Sequence, residues 1–229
     1  MSTLTKLKEN IESVIVGKGK VIDMVMTSLI AGGHILLEDV PGTGKTVMAK
    51  SLARSLDASF SRVQFTPDLL PSDVTGLNYY NQKQGEFVFK SGPVFCNILL
   101  ADEINRATPR TQSALLECME ERQVTVDGKT RPLPAPFIVI ATQNPVETTG
   151  TFPLPEAQLD RFLMKLTMDY PSLDEEVNIL ERHHTNAAFV KLEDITPAIT
   201  KEELLSLRNL MKQVFIDRTL LQYIALIVQ

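Results

Sequence analysis

The N-terminal part of the chain spaces its apolar residues with the period of an α-helix. Between Leu4 and Ile15 they recur every three or four positions, which predicts an amphipathic helix. The same spacing predicts a second helix, with apolar positions Val21, Met24, Val25 and Leu29. We expect this helix to end at Gly32–Gly33, because glycine accepts the left-handed backbone conformation that closes many helices.

Beyond these helices, short continuous apolar runs are typical of buried strands. The runs are Ile35–Leu37, Ile98–Ala101 and Phe137–Ala141, with a further strand candidate at Ser59–Phe65. Such runs occur in parallel sheets that are covered by crossover helices on both faces. The helical segments Thr46–Leu56 and Thr111–Glu121 suit these crossovers. The pattern therefore predicts an α/β fold with a parallel sheet.

Two hairpin-like segments interrupt this alternation of strands and helices. Tyr79–Phe89 has aromatic residues on either side of a turn that contains Gly85. Gln123–Arg131 contains Asp127–Gly128, which is one of the strongest short signals for a hairpin turn. Ordinary surface loops are the alternative interpretation of both segments.

A change of pattern at Tyr170–Pro171 predicts a domain boundary. Beyond it no strand signal remains, and three segments suit helices: Leu173–His184, Lys201–Val214 and Thr219–Val228. We predict an α/β domain over residues 1–170 and an all-α subdomain over residues 171–229. The last residues are apolar and carry no capping signal, so we expect the chain to stop inside that subdomain.

Composition and charge narrow the classes of protein. The 229 residues include 23 Lys and Arg against 28 Asp and Glu, a net charge of −5, which argues against a protein that mainly grips nucleic acid. Cys96 and Cys118 form no disulfide framework and have no metal-ligand spacing. No signal peptide is visible, and no apolar run reaches the ~18 residues of a membrane helix. We expect a soluble, cytoplasmic protein without a membrane segment.

The strongest chemical signal lies between the first predicted strand and the following helix, at Asp39–Thr46. The glycines Gly42 and Gly44 allow backbone N–H groups to converge on phosphates at a helix N-terminus. Lys45 can then reach the β- and γ-phosphates of a triphosphate, and the hydroxyl of Thr46 can bind Mg²⁺. A glycine turn with a solvated lysine is the alternative interpretation.

One residue of this loop departs from the full Walker A pattern. Asp39 stands where that pattern has its first glycine. A carboxylate aimed at the phosphates would repel them. We therefore expect the Asp39 side chain to point away from the phosphates, or nucleotide binding to be weakened.

A second motif follows the strand Ile98–Ala101, which ends in Asp102 and Glu103. Open α/β sheets present their ligand-binding residues at the carboxyl ends of strands. Asp102 is positioned to hold the shell of Mg²⁺, and Glu103 to orient and polarise an attacking water. A solvated acidic loop is the alternative, and the presence of the glycine loop disfavours it.

These motifs support two further residues as candidates for the site. Asn144 follows the strand Phe137–Ala141, and its neutral amide can bind the γ-phosphate or the water; a loop-capping role is the alternative. Arg161 can stabilise charge in phosphoryl transfer, often on the nucleotide of a neighbouring subunit. A surface salt bridge with Asp160 or Glu156 is the alternative for Arg161.

Together these motifs resemble the AAA+ ATPases, and within them the MoxR family. The resemblance extends from Val16 to Phe162 and rests on the segments Gly33–Glu38, Gln64–Asp73, Leu100–Arg106, Thr111–Glu117, Ala141–Pro145 and Pro153–Phe162. It implies an AAA+ P-loop core with a five-stranded parallel sheet, followed by a truncated all-α lid, with ATP at their junction. It also implies nucleotide contacts from Val16, Gly17, Pro41, Gly42, Thr43, Gly44, Lys45, Thr46 and Val47.

The resemblance further implies roles and partners. Asn144 matches the sensor-1 position and Arg161 the arginine finger, while the two hairpins match inserts that face the pore or the partner in ring-forming relatives. The family uses ATP and Mg²⁺ in hexamers that remodel or activate client proteins, commonly with a partner that bears a von Willebrand factor A domain. The sensor-2 arginine would lie beyond Gln229, so we expect nucleotide binding with weak hydrolysis.

Other functions remain as alternatives. A nucleic-acid-associated AAA+ motor or loader is disfavoured by the acidic charge balance and the absence of a clustered Lys/Arg stretch. A P-loop kinase acting on a small molecule would usually lack the pair Asp102–Glu103. A GTP switch would need an Asn-Lys-x-Asp segment to read guanine, and the sequence has none.

Overall fold

A central five-stranded parallel sheet organises the computed structural model, which describes residues 3–39, 42–144, 150–184 and 191–228, without the side chains at 39, 182 and 183. The strands are β1 (His34–Asp39), β2 (Phe60–Gln64), β5 (Ile98–Asp102), β8 (Ile138–Gln143) and β9 (Phe162–Met168). Their order across the sheet is β2-β5-β8-β1-β9, and every neighbouring pair is parallel. The expected α/β class is confirmed.

Helices cover both faces of this sheet. On one face lie α1 (Thr3–Val14), α2 (Gly19–Ala31) and α3 (Lys45–Ser55), whose apolar side chains pack with alternate strand residues such as Leu37 and Leu100. On the other lie α4 (Pro71–Thr75) and α5 (Pro109–Glu121), which pack with the intervening residues such as Leu99. Because successive strand residues point to opposite faces, one apolar run supplies two cores.

The edge strand β9 is the part of the sheet that the apolar pattern does not predict. Its ends, Phe162 and Met168, are buried, but Leu163, Lys165 and Thr167 between them are exposed. The interior strand β5, which has a neighbour on each side, is buried at every position. An edge strand has only one neighbour, so its sequence lacks the continuous apolar run that identifies a central strand.

Both predicted hairpins are present. One consists of β3 (Gly76–Asn81) and β4 (Glu86–Ser91), and the other of β6 (Gln123–Val126) and β7 (Lys129–Pro132). Asp127 and Gly128 form the second turn with φ values of 50° and 73°. The hairpins contact each other, because the Asn78 amide donates to the Asp127 carboxylate at 2.6 Å.

The C-terminal part is helical, as expected. After the short α6 (Glu156–Leu159) come α7 (Leu173–His184), α8 (Lys201–Met211) and α9 (Arg218–Val228). Helix α8 packs on α2. Leu204 of α8 is buried, and Arg208 donates to the Leu29 carbonyl from Nη2 at 2.8 Å and from Nε at 3.1 Å. Division into domains at residue 170 stays a prediction. No helix in the described part of the chain is long and apolar enough to span a membrane.

Candidate active site

The glycine loop leads directly into α3. Gly42 and Gly44 have φ values of 92° and 91°, a left-handed conformation that other residues rarely adopt. A Cβ atom added at either position would meet no atom within 4 Å, so open space lies above the loop. Gly44 is the N-cap of α3, whose first N–H groups have no partner within the helix and suit an anion. Pro41 and the Asp39 side chain lie outside the described residues, so the prediction for Asp39 is untested.

A cleft of about 460 Å³ opens between this loop and the carboxyl ends of β2 and β5. Its walls combine backbone donors, cations and carboxylates, which are supplied by Gly42, Gly44, Lys45, Thr46, Val47, Arg62, Gln64, Asp102 and Glu103. Six of the residues that the sequence predicts for nucleotide or metal binding thus line one cavity, together with Glu103. Two lining residues, Arg62 and Gln64, have no role in the sequence prediction.

Asp102 is the electrostatic centre of the cleft. Its side chain is only 2% exposed, and Lys45 Nζ lies 2.9 Å from Oδ1. The Thr142 hydroxyl donates to the same oxygen at 2.7 Å, and Arg62 Nη2 donates to Oδ2 at 2.6 Å. Burial alone would raise the pKa of Asp102, but these hydrogen bonds outweigh it and hold the pKa below its usual range. The carboxylate is therefore ionised and held by two cations.

Glu103 lies just beyond the end of β5 in a strained backbone conformation. Its φ and ψ are 55° and 50°, which a residue with a Cβ adopts at a cost of roughly 1 kcal/mol or more. Its N–H donates to the Thr142 hydroxyl at 2.9 Å. Its Oε2 accepts from Gln64 Nε2 at 2.7 Å and from Arg106 Nη1 at 3.0 Å. The turn thus directs the carboxylate into the cleft rather than along the strand.

Asn144 follows β8 at the same edge of the sheet and is half-buried. The preceding Gln143 donates to Glu38 Oε1 at 2.9 Å, and Lys165 Nζ lies 2.8 Å from that oxygen. Burial alone would raise the pKa of Glu38, but Lys165 and Gln143 hold it below its usual range. Through Glu38 on β1, these contacts connect the neighbouring strands β8 and β9 next to the start of the phosphate loop.

A second, more apolar cavity of about 160 Å³ adjoins the loop. It is lined by Val14, Ile15, Val16, Lys18, Gly42, Thr43, Gly44, Val47, Pro171 and Ile179. Gly17, the next residue after Val16, has φ 78°, and a Cβ there would overlap the Glu175 carboxyl group. The loop after α1 therefore lies directly against the start of α7. An apolar slot beside a phosphate loop suits the base of a nucleotide.

Arg161 lies elsewhere. It forms an ion pair with Glu120 of α5 and lines a separate cavity of about 450 Å³ with His34, Arg122 and Asp160. It does not line the cleft that contains Lys45 and Glu103. Arg161 thus forms a salt bridge, but its partner is Glu120 and not the Asp160 or Glu156 named in the sequence analysis. The role of Arg161 stays a prediction.

The donor set of the cleft fits Mg²⁺. Thr46 and Asp102 offer a hydroxyl and a carboxylate, the hard oxygen ligands that Mg²⁺ prefers. Within the described residues there is no group of three His, Cys, Asp or Glu side chains able to hold a metal ion. Mg²⁺ usually takes one or two protein ligands and completes its shell with substrate phosphates and water.

A parallel sheet whose first strand passes through a glycine loop into a helix defines the class of P-loop nucleotide-binding proteins. The family model described as ATPase family associated with various cellular activities (AAA) matches residues 34–164. The chain belongs to this family and is a MoxR-like AAA+ ATPase.

Individual relatives extend the similarity beyond the family model. The uncharacterized protein YeaC of Bacillus subtilis is 54% identical over 229 residues, which is 99% of this chain and 70% of that protein. Chaperone MoxR1 of Mycobacterium tuberculosis is 43% identical over 99% of this chain, which spans 59% of MoxR1. A crystal structure from Cytophaga hutchinsonii, provisionally named an ATPase, has a TM-score of 0.87 at 45% identity, with 97% of this chain and 67% of that chain covered.

Proposed function

We propose that this chain binds ATP with Mg²⁺ and hydrolyses it, and that the cycle drives remodelling or activation of partner proteins. The observation that carries the proposal is the pairing of Lys45 with Asp102 at 2.9 Å, within a cleft that also contains Thr46 and Glu103. The cation proposed to bind phosphate, the carboxylate proposed to hold Mg²⁺ and the carboxylate proposed to act on water line one cavity. The chaperone name of MoxR1 supports the remodelling part of the proposal.

Each residue has a defined task in this proposal. The N–H groups at the start of α3 and the Lys45 ammonium bind the phosphates, and the Thr46 hydroxyl and Asp102 hold Mg²⁺. Bound Mg²⁺ would supply charge neutralisation at the β- and γ-phosphates. Glu103 orients a water and accepts its proton. Gln64 and Arg106 hold the Glu103 carboxylate in place. Asn144 serves as a neutral group that hydrogen-bonds the γ-phosphate or the water.

Calorimetric titration and phosphate-release assays test this function directly. We expect the chain to bind ATP and ADP in the presence of Mg²⁺, and to release phosphate from ATP slowly. GTP is the control that separates recognition of the phosphates from recognition of the base, since it shares the phosphates of ATP but not its base. No ATP binding at millimolar nucleotide, with a folded protein, would contradict the proposal.

We further propose that Arg161 acts on the nucleotide of a neighbouring copy in a ring, which is a homo-hexamer in the full-length protein. Its position outside the Lys45 cleft supports action between subunits. The ion pair with Glu120 is partly exposed on both sides and therefore weak enough to exchange for a phosphate. We also propose that the protein works in the cytoplasm with a partner that bears a von Willebrand factor A domain. Residues 171–229 form a separate lid in this proposal.

Mixed assemblies test the role of Arg161. Arg161→Ala subunits keep Glu103, and Glu103→Gln subunits keep Arg161, so each variant alone should turn over little ATP. We expect a mixture of the two to regain activity, because a Glu103→Gln subunit can supply its arginine to an Arg161→Ala neighbour. Light scattering with ATP and Mg²⁺ establishes that the copies associate. A mixture no more active than its components, in assembled protein, would refute action between subunits.

A further inference from the structure

Arg62 holds a position in the cleft that the proposed ATPase cycle does not explain. It lies on the edge strand β2, and Nη2 donates to Asp102 Oδ2 at 2.6 Å. The carboxylate proposed to face Mg²⁺ therefore has a cation on each of its oxygens, with Lys45 on Oδ1 and Arg62 on Oδ2. The two cations differ in surroundings, because the Lys45 side chain is 16% exposed and that of Arg62 is 47% exposed.

The register of β2 on β5 explains how Arg62 reaches this carboxylate. Arg62 pairs with Leu100 and Gln64 pairs with Asp102, so both β2 side chains share the sheet face of Asp102. Because β2 is an edge strand, the guanidinium can leave the cleft towards solvent without breaking a core contact. The same Nη2 also donates to Gln64 Oε1 at 3.2 Å, so Arg62 keeps one partner when it leaves Asp102.

We propose that Arg62 is a positioning residue that occupies the Asp102 carboxylate until Mg²⁺ and nucleotide arrive, and thereby sets how strongly Mg²⁺ enhances nucleotide binding. The inference rests on the proposed function. When Mg²⁺ is bound, its shell would replace Arg62 at Asp102. The loss of the Arg62–Asp102 ion pair would then offset part of the free energy gained from Mg²⁺ binding. A guanidinium beside the metal position also repels a dication.

Calorimetric titration with ATP tests the exchange, once in excess EDTA and once in excess Mg²⁺. For each variant, the dissociation constant in EDTA is divided by the dissociation constant in Mg²⁺. A larger ratio means that Mg²⁺ enhances ATP binding more. Arg62→Ala removes the competing cation, so its ratio should exceed that of the wild-type chain by about fivefold to tenfold. Arg62→Gln should behave in the same way and provides a second variant if alanine affects folding. Arg62→Lys keeps the charge and should give a ratio close to that of the wild type.

The matched control is Arg54→Ala, which removes the same charge from an exposed position in the last turn of α3. Its ratio should equal that of the wild type. Arg62→Ala and Arg62→Gln ratios no larger than that of Arg54→Ala would overturn the inference. If the wild-type chain bound ATP under neither condition, the proposed function itself would fail, so the two failures are distinguishable.

Discussion

Replacement of Lys45 by alanine should raise the dissociation constant for ATP by about 100-fold, because the loop loses the cation that binds the phosphates. Lys45 is the first residue of α3, and its Nζ already lies within 2.9 Å of Asp102 in the cleft. Lys50→Ala is the matched control, since it removes the same charge from an exposed position on the same helix. Calorimetric titration with ATP and Mg²⁺ measures both variants. Equal affinities for the two would remove Lys45 from the binding site.

The same substitution should lower stability in a pH-dependent way. The pKa of Asp102 is held below its usual range, against burial, partly by Lys45. A carboxyl group with a lowered pKa contributes stability above its unfolded-state pKa, and that contribution is lost as the pH falls through the folded-state value. Lys45→Ala should therefore be less stable than Lys50→Ala near neutral pH. Denaturant unfolding should show the difference shrinking in the acid range, and a constant difference would contradict the ion pair.

The central part of the sheet is predictable from sequence because its strands are covered on both faces. The runs at Ile98–Ala101 and Phe137–Ala141 are apolar at every position, and the structure buries them completely. The edge strand β9 escapes this rule, since its exposed Leu163, Lys165 and Thr167 break the run. The resemblance to a known family implies a fifth strand but does not give its position.

The candidate site is predictable to the extent that its residues follow strands or a glycine loop. Asp102 and Glu103 were identifiable because polar residues at the carboxyl end of a buried strand indicate a ligand site. Applied to β2, the same rule would also have indicated Gln64. Arg62 gives no such signal, because it lies within its strand and its contact with Asp102 depends on the strand register. Thr142 does follow a buried run, but its contact with Asp102 depends on β5 and β8 being neighbours. Neither the Arg62–Asp102 ion pair nor the Thr142–Asp102 hydrogen bond can be inferred without knowing that β2, β5 and β8 are neighbours.

Glu103→Gln should leave ATP binding intact and reduce turnover by about 100-fold to 1,000-fold. The amide keeps the shape of the side chain and can still accept hydrogen bonds from Gln64 and Arg106, but it cannot take a proton from water. Glutamine is preferable to glycine here, because glycine would also relieve the left-handed backbone strain at φ 55°. Loss of activity then reports on the carboxylate alone.

Glu117→Gln is the control for this substitution, since it makes the same chemical change at an exposed position of α5. Phosphate release under single-turnover conditions separates chemistry from product release. In the Glu103→Gln variant we expect ATP to remain bound and uncleaved, while Glu117→Gln cleaves it at the wild-type rate. Undiminished cleavage by Glu103→Gln would show that Glu103 does not activate the water, and the strained turn after β5 would then need another explanation.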